Sequence, residues 1–88
     1  MLNQEKIDVL FQTLRKVHKC HWKAPKLDDV QKEIHRIGVF VFRIGNNPWV
    51  AEVRITENGV EYVVNQDLSE RMRKDAEKMK EEFEKLIQ

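Results

Sequence analysis

Apolar residues recur at helical spacing near the start of the chain, on one side of a helical wheel: Ile7, Leu10, Phe11, Leu14 and Val17, followed by His18. Asn3 is of a residue type that caps helix N-termini. Pro25 lies downstream, and the residue before a proline resists the helical conformation. The pattern therefore predicts a first helix from about residue 3 to residue 19.

A second helix is predicted over residues 28–37, within the segment KLDDVQKEIHRIG. Asp28 followed by Gln31 has the spacing of a capping box, and Gly38 is the expected left-handed stop. The apolar positions of this segment form a single stripe, which consists of Leu27, Val30, Ile34 and Ile37.

Two hairpins in series are predicted after the second helix. The segment 39–44 is rich in β-branched and aromatic residues, which favour strands, and the segments 49–56 and 60–65 place apolar residues at alternate positions. Turn residues separate the segments, with GNNP before the second and Asn58-Gly59 before the third. The sequence therefore predicts a three-stranded antiparallel meander.

The alternation also assigns strand residues to faces of the sheet. The polar positions Arg43, Glu52 and Arg54 are expected on the solvent face, as candidates for cross-strand pairs. The core face is expected to hold the other positions of the second strand: Trp49, Ala51, Val53 and Ile55.

Residues 67–88 predict a long helix with an apolar stripe of Leu68, Met72, Ala76, Met79, Phe83, Leu86 and Ile87. Such a helix reaches ~30–35 Å, whereas strands of this length span ~20–25 Å, so its end should overhang the sheet. Phe83, Leu86 and Ile87 then require cover from the first helix or from a second copy of the chain. We therefore expect these three residues to be the candidates for self-association.

The predicted elements follow the order α-α-β-β-β-α in a chain of 88 residues, which is enough for a single domain, 1–88. A sheet with one apolar face must bury that face against another layer. We therefore expect an α+β, two-layer fold in which helices pack on one face of the meander.

The segment from Pro25 onwards contains RKDAE at residues 73–77 and GNNPW at residues 45–49, within the order α-β-β-β-α. This order is similar to that of the double-stranded-RNA-binding domain, a family that grips phosphates with a basic K-K-x-A-K motif at the start of its last helix. The first four positions of RKDAE fit that motif in kind, whereas Glu77 reverses the final charge. GNNPW has the glycine and proline of the family's first strand-to-strand loop but not its histidine. The resemblance is topological, and it implies contact with RNA or DNA.

Charge is unevenly distributed, although the net charge is only +1. The stretch between Val9 and Leu27 holds five basic residues and no acid. Cationic side chains with an interleaved aromatic ring are typical of surfaces that bind nucleic acids, because the cations meet the backbone and the ring stacks on a base. The nucleic-acid candidates are Arg15, Lys16, Lys19, Trp22, Lys23 and Lys26, joined by Arg73 and Lys74.

The same stretch contains residues of the types found in metal and thiol sites. The candidate zinc ligands are His18, Cys20, His21 and His35, but one cysteine with three histidines is an unusual ligand set. We therefore expect no metal and no cofactor, and a metal-binding protein is the third hypothesis. Cys20 beside His21 is the minimum pair for nucleophilic catalysis, but no orienting group accompanies it, so we expect no enzyme.

The N-terminal segment lacks the apolar run of a signal peptide, and no apolar stretch approaches the ~18–20 residues that span a bilayer. A single cysteine fits a reducing compartment. We therefore expect a cytoplasmic protein without membrane contact. The preferred hypothesis is a small non-catalytic regulatory module that binds a protein partner or forms a homodimer, and nucleic-acid binding is the alternative.

Overall fold

The computed structural model describes all 88 residues and confirms the predicted α+β fold and its element order. The three strands form one antiparallel sheet in the order β1-β2-β3. The elements are α1 (Gln4–His18), α2 (Leu27–Ile37), β1 (Phe40–Ile44), β2 (Ala51–Thr56), β3 (Gly59–Val64) and α3 (Glu70–Ile87).

Helix α1 begins where the sequence predicted. Asn3 is its N-cap, and the Asn3 Oδ1 atom accepts a hydrogen bond from the Lys6 amide at 2.8 Å, which satisfies one of the free donors of the first turn. The helix ends at Lys19, a residue in the left-handed conformation whose amide donates to the Arg15 carbonyl. Its buried stripe consists of Ile7, Leu10, Phe11, Leu14 and Val17.

The start of α2 differs from the predicted capping box. The N-cap is Lys26, whose side chain makes no capping hydrogen bond, and Asp28 lies inside the first turn. The cap comes instead from α1, because Gln4 Oε1 accepts a hydrogen bond from the Leu27 amide at 2.7 Å. The same side chain donates to the Pro25 carbonyl through Nε2, at 3.0 Å. A side chain 23 residues away therefore replaces the local cap.

The two faces of the sheet have different environments, because successive side chains of a strand point to opposite sides. Val53 and Tyr62 face each other across β2 and β3 and are buried. The neighbouring row of Val41, Arg54 and Glu61 is mostly exposed. The buried residues of the helices and of the strands form one apolar cluster. All three helices therefore pack on one face, and we call the opposite side the open face.

The prediction that Trp49 lies in the core is wrong, whereas Val53 and Ile55 are fully buried as predicted. The Val50 amide donates to the Ile44 carbonyl at 2.7 Å, although Ile44 is paired with Ala51 in the ladder. This arrangement interrupts the alternation before Ala51, as in a β-bulge. Val50 then packs against the core and Trp49 does not.

Helix α3 begins after Ser69, whose hydroxyl oxygen accepts a hydrogen bond from the Met72 amide. Phe83 is buried in the core, with its ring centroid 5.3 Å from that of Tyr62. Leu86 and Ile87 remain exposed beyond it.

None of the three helices combines the length and the apolar character that crossing a membrane requires.

Candidate functional site

A surface groove of about 600 Å³ lies where three elements meet at one end of the molecule. The start of α1 forms one wall, the end of α3 forms another, and the first part of β3 closes it. We call this feature the end groove. Its lining residues are Asn3, Glu5, Lys6, Val9, Leu10, Val60, Leu86 and Ile87.

Four apolar side chains of the end groove are exposed. Their exposed fractions lie between 37% for Val60 and 53% for Val9, and those of Leu86 and Ile87 fall within this range. A second depression shares Lys6, Leu10 and Val60 with the groove and continues it towards the N-terminus. Exposed apolar residues that are scattered singly are normal, whereas a contiguous set marks an interaction surface.

The charged rim of the end groove contains one acid and one base. Glu5 and Lys6 both line it, and neither side chain forms an ion pair within the chain. The rim is therefore neutral as a whole, with one charge of each sign available to a partner.

The structure separates the three residues that were predicted for self-association. Leu86 and Ile87 line the end groove, but Phe83 is only 1% exposed and belongs to the core. Sequence reasoning missed Val9 and Val60. Val9 is an apolar residue on the polar side of the first helical wheel. That position could have indicated an exposed apolar contact.

The basic stretch 15–26 contains one arginine with a structural contact and four exposed lysines. Arg15 is half-buried, and its Nη1 atom donates a hydrogen bond to the Trp22 carbonyl at 2.8 Å. The lysines are exposed and form no ion pair within the chain: Lys16, Lys19, Lys23 and Lys26.

The Trp22 ring, the candidate for stacking on a base, is half-buried and packs against the protein. The Trp22 ring lies 5.2 Å from Phe42 and 5.4 Å from His18, between ring centroids. Of the candidates on α3, Arg73 is half-buried, and Lys74 forms an ion pair with Glu70 at 3.3 Å. The basic stretch therefore offers exposed lysines beside a half-buried ring.

His18 and Tyr62 form a partly buried hydrogen bond of 2.9 Å between Nε2 and Oη. Burial lowers the pKa of the His18 imidazole below its usual value, and the carboxylate of Glu82 partly opposes this shift. Burial, together with the charge of Glu77, raises the pKa of Tyr62 to about 12. Both groups are therefore neutral near pH 7, and their bond joins the end of α1 to β3.

The histidines and the cysteine do not form a ligand set. Cys20 is half-buried and His21 is exposed, while the His18 ring is bonded to Tyr62. No three side chains of His, Cys, Asp or Glu lie close enough together to hold a metal ion.

A second group of polar residues lies on the open face, where Arg43 and Arg54 flank Glu52. Arg43 donates to Glu52 Oε1 through Nη2 at 2.7 Å and through Nε at 3.2 Å. Arg54 donates to Oε2 through Nη2 at 3.0 Å and through Nε at 3.2 Å. Arg43 therefore pairs with Glu52 across β1 and β2, whereas Arg54 reaches Glu52 along β2 itself. We call this cluster of three residues the arginine clamp.

Glu52 is charged although it is only 6% exposed. Burial alone would raise the pKa of this carboxyl, but the hydrogen bonds and charges of Arg43 and Arg54 outweigh it. The pKa of Glu52 therefore lies below its usual value.

Comparison of the chain with protein-family models, with curated proteins and with solved structures finds no match.

Proposed function

We propose that this protein is a small non-catalytic binding module that associates with a second copy of itself through the end groove. The observation that carries the proposal is the contiguous exposed apolar surface of Val9, Val60, Leu86 and Ile87. Burying such a surface against a partner is favourable by roughly 25 cal/mol for each Å² of apolar area removed from water.

The charges of the rim support a second copy as the partner. In a two-fold symmetric contact, a residue of one copy that touches a second residue of the other copy is matched by the same pair in reverse. The surface must therefore be complementary to itself. A rim with one free acid and one free base meets this condition. We place Glu5 of one copy against Lys6 of the other, which makes two equivalent ion pairs at the edge of an apolar centre.

Sedimentation velocity at micromolar concentration tests the proposal. We expect the wild-type chain to sediment as a dimer, and Leu86→Lys to sediment as a monomer because it places a charge in the apolar contact. Met72→Lys is the matched control, since Met72 is also on α3, is 41% exposed, and does not line the groove. A monomeric wild-type chain, or a Met72→Lys variant as monomeric as Leu86→Lys, would contradict the proposal.

The four exposed lysines of the basic stretch support nucleic-acid binding as the second candidate function. They have no acidic partner within the chain, so their charges are available to phosphates. The test is a gel-shift assay with duplex RNA and duplex DNA. Binding that weakens steeply between about 50 and about 200 mM salt supports this function, and no shift at the lower salt concentration removes it.

A further inference from the structure

The arginine clamp leaves hydrogen-bond donors of both arginines unused. Arg43 and Arg54 each bind Glu52 through Nε and Nη2, so their Nη1 atoms make no hydrogen bond within the chain. The Nη1 atom of Arg54 lies 3.8 Å from a carboxylate oxygen of Glu61, which is too long for a hydrogen bond. An arginine fork with free N–H groups matches the geometry of a carboxylate or phosphate.

The clamp also holds the two guanidinium groups in place before a ligand arrives. A single buried carboxylate bonds both arginines, one through each of its oxygens. Arg43 is further fixed over the Trp49 ring, with its Cζ atom 5.3 Å from the ring centroid. Side chains that are already ordered lose less conformational entropy on binding.

The free end of Arg43 is the part of the clamp that favours an anionic ligand. Two guanidinium groups share the Glu52 carboxylate, and Arg54 has a second acid, Glu61, at 3.8 Å, whereas Arg43 has no other acidic partner. The exposed fraction of the side chain is 59% for Arg43 and 43% for Arg54. A ligand can therefore reach both groups from the solvent.

We propose that the open face is a second interaction surface, on which the arginine clamp binds a glutamate or aspartate carboxylate of an extended acidic peptide segment of a partner protein. Tryptophan and arginine are the residue types most enriched at the centres of protein interfaces. Val41 lies directly across the ladder from Arg54 and is exposed, so it provides an apolar contact beside the anion site.

An acidic peptide fits this face better than a nucleic acid does. Glu61 is exposed beside Arg54 and would repel a run of phosphates, whereas a peptide can place an apolar or cationic residue there. The clamp is also remote from the basic stretch. Trp22 packs on Phe42 at the helix-covered side, and the next residue, Arg43, points to the opposite side.

The proposal is tested by NMR titration of the arginine Nε–H resonances and the Trp49 indole N–H. The probe is an acetylated and amidated hexapeptide of alternating valine and glutamate, and the matched probe has glutamine in place of glutamate. We expect the glutamate peptide to shift the resonances of Arg43, Arg54 and Trp49 at concentrations up to about 1 mM. The glutamine peptide should bind about tenfold more weakly, because it lacks the charge.

Conservative variants connect the shifts to the clamp. Arg43→Lys and Arg54→Lys keep the positive charge but lose the fork, and each should weaken binding of the glutamate peptide by about tenfold. Arg36→Lys is the control, since Arg36 is also exposed and paired with a glutamate, on α2. No shift with the glutamate peptide, equal shifts with both peptides, or tighter binding of a thymidine octamer at these resonances would overturn the proposal.

Discussion

The guanidinium group of Arg15 donates a hydrogen bond to the backbone carbonyl of Trp22 at 2.8 Å, which ties the end of α1 to the segment that leads into α2. The contact fixes the position from which the Trp22 ring reaches Phe42 and His18. A residue that composition assigns to a nucleic-acid surface therefore also has a structural role.

We predict that Arg15→Ala lowers the free energy of unfolding by about 1.5–3 kcal/mol, because the variant loses a hydrogen bond from a charged donor in a partly buried position. Lys16→Ala is the control, since Lys16 is exposed and unpaired, and it should change stability by less than about 0.5 kcal/mol. Urea unfolding measures both values. Equal effects of the two substitutions would show that the Arg15 contact contributes nothing specific.

The Gln4 side chain leads to a second prediction, because it caps α2 from another helix. Gln4→Ala should destabilise the protein by about 1–2 kcal/mol, which is the usual cost of removing a helix cap. Gln12→Ala, at an exposed position of the same helix, should have little effect. The free energies of unfolding of the two variants are compared. A Gln4→Ala variant as stable as the Gln12→Ala variant would contradict the role of Gln4 as the cap of α2.

The pH dependence of stability is expected to report on His18. The pKa of His18 in the folded protein lies below the unfolded value of about 6.5. Between these two values the unfolded chain binds more protons, so the free energy of unfolding rises with pH and reaches its full value above about 6.5. We predict lower stability at pH 5.5 than at pH 7.5, measured by urea unfolding.

His18→Gln should remove most of this difference, whereas His21→Gln, at an exposed position, should keep it. Glu52 adds a change of the same sign, since its pKa is also lowered, but only as the pH falls below about 4.5. Measurements above pH 5 therefore isolate the histidine. The same slope in the wild-type chain and in His18→Gln would assign the dependence to other groups.

A charge exchange tests the two-fold contact at the rim of the end groove. Glu5→Lys carries two bases at the rim and Lys6→Glu carries two acids, so each variant alone should place like charges opposite each other and dimerise more weakly. A mixture of the two should form a heterodimer, because each of the two pairs then joins a base of one variant to an acid of the other. Sedimentation of each variant and of the mixture provides the comparison. Unchanged dimers of both single variants would show that Glu5 and Lys6 do not face each other.

Most of the fold could be predicted because its signals are local. The helices follow from the spacing of apolar residues, the second turn of the meander follows from Asn58-Gly59, and Gly38 ends α2 as expected. Each of these signals depends on residues within one or two turns of the backbone. The candidate site was harder to predict from the sequence, because the end groove joins Val9, Val60 and Leu86, which are far apart in the chain.

The sequence by itself determined the element order, the meander and the stripe that α1 buries, since these depend on backbone periodicity. The tertiary structure decided which residues within those elements are available to a partner. It packed Trp22 against Phe42, and it left Trp49 beside Arg43 on the open face, whereas the sequence predicted Trp49 in the core. It also buried Phe83 while leaving Leu86 exposed. The physical reason is that burial depends on which distant elements meet, and a periodic pattern specifies a face without specifying what covers it.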